Sequence, residues 1–222
     1  MKHMKKVIAI VLGLVFVIYF SACKKDRLTA NGNIVAETRN LGQFTGISSS
    51  GATPVEVKYG TEFNVVVKGS SNIVPHYTTR IVNNVLHIGF EGVNVRRDDV
   101  EVILTMPTLN RIDLSGSTEV EIEGNFPVIA NLNVSVSGSG KVEADHALHI
   151  DNVKVDISGS GTVDFEDVTS KTADADISGS GSLRLQVQDR IKAKISGSGK
   201  VYYKGSPVIQ QDISGSGKLI KF

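Results

Sequence analysis

At 222 residues the chain is long enough for one elongated domain with a continuous core, and its 24 Lys and Arg against 23 Asp and Glu leave no concentrated basic excess of the kind nucleic acid requires. A single cysteine excludes an intramolecular disulfide and any multi-thiol metal site. Trp is absent and aromatics are sparse, while the 22 Gly gather in turn-like strings, so the composition is that of a folded chain rather than a disordered one.

The first element is a targeting signal. Lys2, His3, Lys5 and Lys6 precede fourteen apolar or small residues, Val7 to Phe20. That run is shorter than the roughly 17–25 residues a bilayer-spanning helix needs, but it has the length of a signal-peptide core. Ser21-Ala22 then leads into Cys23. The segment Phe20-Ser21-Ala22-Cys23 resembles a bacterial lipobox, with Phe20 where Leu or Val is commoner. The resemblance implies cleavage before Cys23 and its acylation, palmitate included; an ordinary signal peptide with an incidental cysteine is the alternative. The expected organisation is a lipoprotein signal peptide over 1–22, a lipidated polar tether over 23–33, and one domain over 34–222. Losing Lys2, Lys5 and Lys6 leaves 21 basic against 23 acidic side chains. The lipid anchor makes the membrane a partner and the outer membrane the expected location, on either its periplasmic or its surface face.

From Ile34 onward the chain reads as strands and turns. Val55-Glu56-Val57, Val65-Val66-Val67, Leu86-His87-Ile88 and Val100 to Leu104 are β-branched runs or alternate with period two, and no window carries a helical stripe. The motif Ser-Gly-Ser then recurs at 115–117, 137–139, 158–160, 178–180, 196–198 and 214–216, at spacings of 22, 21, 20, 18 and 18 residues. A second glycine follows in every copy but the first, where Thr118 stands in its place.

The flanks repeat as well. Leu114, Val136, Ile157, Ile177, Ile195 and Ile213 precede the turn, with Ile112, Val134, Val155, Ala175, Ala193 and Gln211 two positions earlier. Val120, Val142, Val163, Leu183, Val201 and Leu219 follow it, then Ile122, Ala144, Phe165, Leu185, Tyr203 and Lys221. Strand side chains alternate between faces, so each of these columns points inward. A unit of about twenty residues cannot bury its own apolar face, but copies stacked about 4.8 Å apart form one core. The expectation is an all-β chain folded as a right-handed parallel β-helix, two short strands per repeat, with Ser-Gly-Ser-Gly corners whose glycines supply positive φ. A meander of hairpins is the alternative, and it leaves the constant flanks unexplained.

These corners, with Phe44-Thr45-Gly46-Ile47, Ser50-Gly51 and the junction Leu109 to Ser117, resemble the head GIN domain, an adhesin family of uncertain function, over about Asn33 to Phe222. The resemblance implies a right-handed β-helix related in shape to pectin-lyase-like folds and a role in cell adhesion. It brings no catalytic residues.

The outward positions form two rows: Asp113, Ser135, Asp156, Asp176, Lys194 and Asp212, and Glu121, Glu143, Asp164, Arg184, Tyr202 and Ile220. Rows of carboxylates suit Ca²⁺, but Lys194 and Arg184 interrupt them, and a solvated charged face is the simpler reading. His146 and His149, with Asp151 nearby, form a His-x-x-His lying between strands, without the helix and following Glu that make that spacing a zinc motif. No serine sits in a nucleophile elbow. The expected function is a noncatalytic envelope module for adhesion or ligand binding, without cofactor, metal or nucleic acid and with a surface glycan or protein as partner. A carbohydrate-active β-helix enzyme is the alternative, with Tyr59, Tyr77, Tyr202 and Tyr203 as candidate sugar platforms. Gln211 and Lys221 break the apolar columns at the last repeat, while Ile220 and Phe222 point the other way, so weak self-association is expected through that end.

Overall fold

The computed structural model describes residues 27–144 and 147–222. Its strands run in chain order as β1 (Arg27–Thr29), β2 (Ile34–Thr38), β3 (Gly46–Gly51), β4 (Val55–Tyr59), β5 (Asn64–Ser70), β6 (Tyr77–Val82), β7 (Val85–Phe90), β8 (Asn94–Arg96) and β9 (Glu101–Met106). The repeats then supply β10 (Arg111–Gly116), β11 (Glu119–Glu123), β12 (Ile129–Gly138), β13 (Lys141–Ala144), β14 (Leu148–Gly159), β15 (Thr162–Gly179), β16 (Ser182–Gly197), β17 (Lys200–Lys204), β18 (Val208–Gly215) and β19 (Lys218–Lys221). Among the described residues the only helical piece is one 3-10 turn, Val74–His76.

Two parallel ladders meet at the Ser-Gly corners. Before the corner the strands stack in the order β7, β3, β10, β12, β14, β15, β16, β18. After it they stack as β9, β4, β11, β13, β15, β16, β17, β19. The chain is a β-solenoid, with Ser115, Ser137, Ser158, Ser178, Ser196 and Ser214 in register, as the spacing predicts. The apolar columns are its core: Ile112, Val134, Val155, Ala175 and Ala193 are all buried, as are Val120, Val142, Val163, Leu183 and Val201.

Three features go beyond the expected pattern. First, a third inward stretch completes the core, with Ile129, Ile150, Ser170 and Val187 buried in one column and Leu148 beside Val168. A repeat therefore does not consist of two short strands alone. β15 runs for 18 residues, bending at register shifts between Phe165 and Thr169 and between Ser170 and Thr172. Such irregularities turn a strand without a glycine corner. Ser170, buried there, is satisfied by donating to the Gln186 carbonyl at 2.9 Å.

Second, the solenoid does not wind in sequence order at its N-terminal end. Ser50-Gly51 forms a seventh corner, with β3 in register against β10 although 65 residues separate Gly51 from Gly116. The intervening chain builds antiparallel pairings beside the parallel ladders. β5 lies antiparallel to β9 and β2 antiparallel to β5, while β6 and β7 form a hairpin. Asn83 and Asn84 turn that hairpin with φ of 51° and 61°, the left-handed pair that a tight two-residue loop needs. Added antiparallel strands cover edges that would otherwise present unpaired backbone groups.

Third, within the expected 23–33 tether the described residues are paired: β1 runs parallel to β8, and the Asn31 and Gly32 N–H groups bond to Asn72 and Ser70. Cys23 and the signal segment lie outside the described residues.

Candidate functional site

The corners are organised by backbone geometry. The first glycine of each corner has a positive φ, between +109° and +126° from Gly116 to Gly215, a conformation that glycine adopts without a Cβ penalty. Its carbonyl accepts the N–H of the third corner residue on the next rung, as in Ser139 to Gly116 and Ser160 to Gly138, both 2.8 Å. The second glycine is required for another reason. Its φ is not left-handed, but a Cβ on Gly161, Gly181 or Gly199 would stand 2.5 Å from the methyls of Val136, Ile157 or Ile177 one rung back. Thr118 can replace that glycine because its rung neighbour is Ser49, at the position where other rungs carry Leu, Val or Ile. The two hydroxyls share a buried hydrogen bond of 3.0 Å. The corner serine hydroxyls, by contrast, face solvent, so the backbone rather than the hydroxyls satisfies the corner.

Both outward rows are present in register. Asp113, Ser135, Asp156, Asp176, Lys194 and Asp212 follow one another along the first ladder, and Glu121, Glu143, Asp164, Arg184, Tyr202 and Ile220 along the second. Basic partners are threaded among their carboxylates. Arg111 meets Asp113 at 2.6 Å, Lys154 meets Asp156 at 3.2 Å, and Lys194 meets Asp176 at 3.5 Å. Lys58 lies 2.7 Å from Glu56, and Lys141 binds Glu143 and, at 3.3 Å, Glu119. Hydrogen bonding to Glu143 holds the Lys141 ammonium above its ordinary pKa. Lys204, bonded to Glu166 at 2.8 Å, holds that carboxyl below the usual range. The rows are ion-pair ladders, and among the described residues no three His, Cys, Asp or Glu gather as metal ligands.

The other candidates separate. His146 is outside the described residues, His149 is exposed on β14, and Asp151 is engaged by Lys171 at 2.7 Å. Tyr77 and Tyr203 are core residues, which removes them as sugar platforms, and Tyr59 packs edge-on against Phe126. Tyr202 stays on the outer face, with the Arg184 guanidinium 5.2 Å from its ring centroid and Phe222 edge-on at 6.3 Å. Phe222 still stays 45% exposed, like Ile209 of β18 at 44%, and Val208 of β18 is more exposed than either at 67%.

A shallow groove of about 470 Å³ runs over the last rungs, lined by Thr162, Ser182 and Lys200, by Asp164, Arg184 and Tyr202, and by the corner serines Ser180 and Ser198. Thr162 and Ser182 share a hydrogen bond across rungs at 3.3 Å. Lys200 is followed in register by Lys218. This column stands one position after the second corner glycine, a fixed offset visible in the sequence, but the near-zero net charge gave no reason to inspect it.

Residues 43–207 match the family described as "putative auto-transporter adhesin, head GIN domain". The chain belongs to that family. Similar solved structures include a "putative adhesin" from Bacteroides fragilis, 20% identical over 88% of this chain and 100% of that one, with a TM-score of 0.74. A "putative lipid binding protein" from Parabacteroides distasonis is 20% identical over 89% and 100%, with a TM-score of 0.59. A "putative adhesin" from Parabacteroides merdae is 19% identical over 89% and 99%, with a TM-score of 0.51. At these identities the likeness establishes a common fold. No curated protein matches the chain.

Proposed function

We propose that this head GIN protein is a noncatalytic lipoprotein of the cell envelope, held to the outer membrane through Cys23, whose solenoid serves as an adhesion or ligand-binding module. The observation that carries the reading is family membership across residues 43–207. The exterior supports it. It is a set of continuous polar columns at rung spacing, an arrangement that offers repeated contacts to an extended partner such as a surface glycan or protein. The charged stretch after Cys23 and the lipobox-like Phe20 to Cys23 support the anchor.

Two experiments test it. Adherence of bacteria carrying or lacking the gene to host or bacterial surfaces should fall on deletion and return on complementation; unchanged adherence to every surface and unchanged ligand capture refute the module. Cys23→Ala should move the protein from the membrane to the soluble fraction, and an unmodified Cys23 in the intact mass of the mature protein refutes the anchor. Weak self-association is proposed through the end of the solenoid that carries Ile220 and Phe222, where Phe222, Val208 and Ile209 are 45%, 67% and 44% exposed. Sedimentation should show a concentration-dependent dimer that Ile209→Lys abolishes; a monomer throughout rejects that interface.

A further inference from the structure

Net neutrality conceals a steep gradient along the solenoid. Residues 111–180 carry 13 Asp and Glu against four Lys and Arg, whereas residues 181–222 carry eight Lys and Arg against two Asp. Much of the basic excess is spent internally: Lys192 and Lys194 lie across from Asp174 and Asp176 at 3.6 and 3.5 Å, and Lys204 bonds Glu166. Lys200 and Lys218 are different. They are exposed rung neighbours, about 4.8 Å apart along the axis, and neither has a carboxylate within ion-pair distance among the described residues. Like charges set directly opposite on adjacent strands destabilise a sheet, so this pair costs stability unless an anion bridges it.

The surroundings narrow the anion. Arg184 stands in the adjacent column, held over Tyr202 and paired only at long range, with Asp164 at 3.9 Å and with Glu166, itself bonded to Lys204, at 3.8 Å. Asp164 is the one carboxylate in the groove, against three cations in and beside it. The hydroxyls of Ser180 and Ser198 line the same groove at rung spacing, exposed and without protein partners. Cations and hydroxyls therefore stand in neighbouring columns that repeat at the rung spacing, close to the length of one pyranose in an extended chain. Base stacking has no platform, because Arg184 and Phe222 flank the Tyr202 ring.

We propose that this groove binds a linear anionic saccharide lying along the solenoid axis. Lys200, Lys218 and Arg184 contact its carboxylate or sulfate groups, and the corner serines contact its hydroxyls. The proposal rests on the ligand-binding reading above and gives that reading a site and a ligand class.

The test is calorimetric titration of the full lipoprotein in neutral detergent. The ligands are tetragalacturonate and a heparin-derived tetrasaccharide, with cellotetraose and a short single-stranded DNA for comparison. Both acidic saccharides should bind, the carboxylate and sulfate arms telling which group is preferred, and cellotetraose and DNA should bind at least tenfold more weakly. Lys200→Gln with Lys218→Gln should weaken acidic-saccharide binding at least tenfold with an unchanged circular dichroism spectrum. Lys192→Gln with Lys194→Gln, equal in charge but already paired, should leave it unchanged. Absence of binding by both acidic saccharides, equal binding of DNA, or equal effects of the two double variants overturns the proposal. Adherence retained by bacteria carrying Lys200→Gln and Lys218→Gln, together with any of those results, refutes the groove while leaving the adhesion module standing.

Discussion

Replacing Gly159 by Ala separates two costs that the corner column combines. At φ +122° an alanine is strained by about 1–3 kcal/mol. Its Cβ would also stand 2.6 Å from the Gly138 carbonyl oxygen, closer than real Cβ contacts come. That carbonyl accepts the Ser160 N–H at 2.8 Å, so moving it weakens a ladder hydrogen bond with a net value of about 0.5–1.5 kcal/mol. The total is about 2–4 kcal/mol. Gly51 supplies the control, because its φ is +123° but an added Cβ meets nothing within 4 Å, leaving strain alone. Ser160→Ala, an exposed side chain, should change stability by less than about 0.5 kcal/mol. Urea unfolding followed by far-ultraviolet circular dichroism should therefore rank Gly159→Ala below Gly51→Ala by about 1 kcal/mol, and both below Ser160→Ala. Near 2–4 °C per kcal/mol for a chain of this size, thermal midpoints should follow the same order. Equal midpoints for Gly159→Ala and Gly51→Ala would refute the rung-to-rung clash, and equality of all three would refute the strained corner.

The Ser49 and Thr118 pair should behave as a coupled unit in a double-mutant cycle. Ser49→Val alone drives methyls against buried Thr118, Thr118→Gly alone leaves a cavity and an unpaired Ser49 hydroxyl, and the double change recreates an ordinary rung. Strict additivity in urea midpoints would reject the packing explanation. Tyr77 carries a buried hydroxyl with no well-formed hydrogen bond among the described residues, and burial, opposed only weakly by nearby Thr53, pushes its pKa up to about 12. The neutral phenol is favoured in the folded state, so this contribution is intact below pH 10 and is lost as pH rises from 10 towards 12, by at most about 2.7 kcal/mol. Tyr77→Phe should flatten that alkaline decline and raise stability at neutral pH; a decline as steep as in the parent protein would show that other groups cause it. Asp99 accepts the Ser70 N–H at 2.8 Å and its hydroxyl at 2.6 Å, which hold its carboxyl below the usual range. Asp99→Ala should cost up to about 1 kcal/mol at neutral pH, solvent screening the exposed carboxylate, and progressively less as acid protonates the parent residue; a cost independent of pH would reject the assignment.

The repeats from Arg111 to Lys221 were legible in the sequence because each rung meets the next at a constant short separation. A local period of about twenty residues is then also the spatial register, and inward columns such as Ile112, Val134 and Val155 announce themselves. The first glycine of each corner was readable from its chemistry. Tertiary structure decided the rest. The joining of β3 to β10 across 65 residues left little trace, because Ser49 and Thr118 replace the apolar residue and the glycine that mark the other rungs. The antiparallel partners β2, β5, β6 and β9 read as strands, but period-two alternation fixes only which side chains share a face, never the partner strand or its direction. The second glycine column exists because a methyl from the preceding rung fills the space a Cβ would need, and that contact forms only once the rungs stack. The same stacking sets Lys200 beside Lys218, since charges eighteen residues apart in sequence become neighbours only when one turn of the solenoid closes on the next.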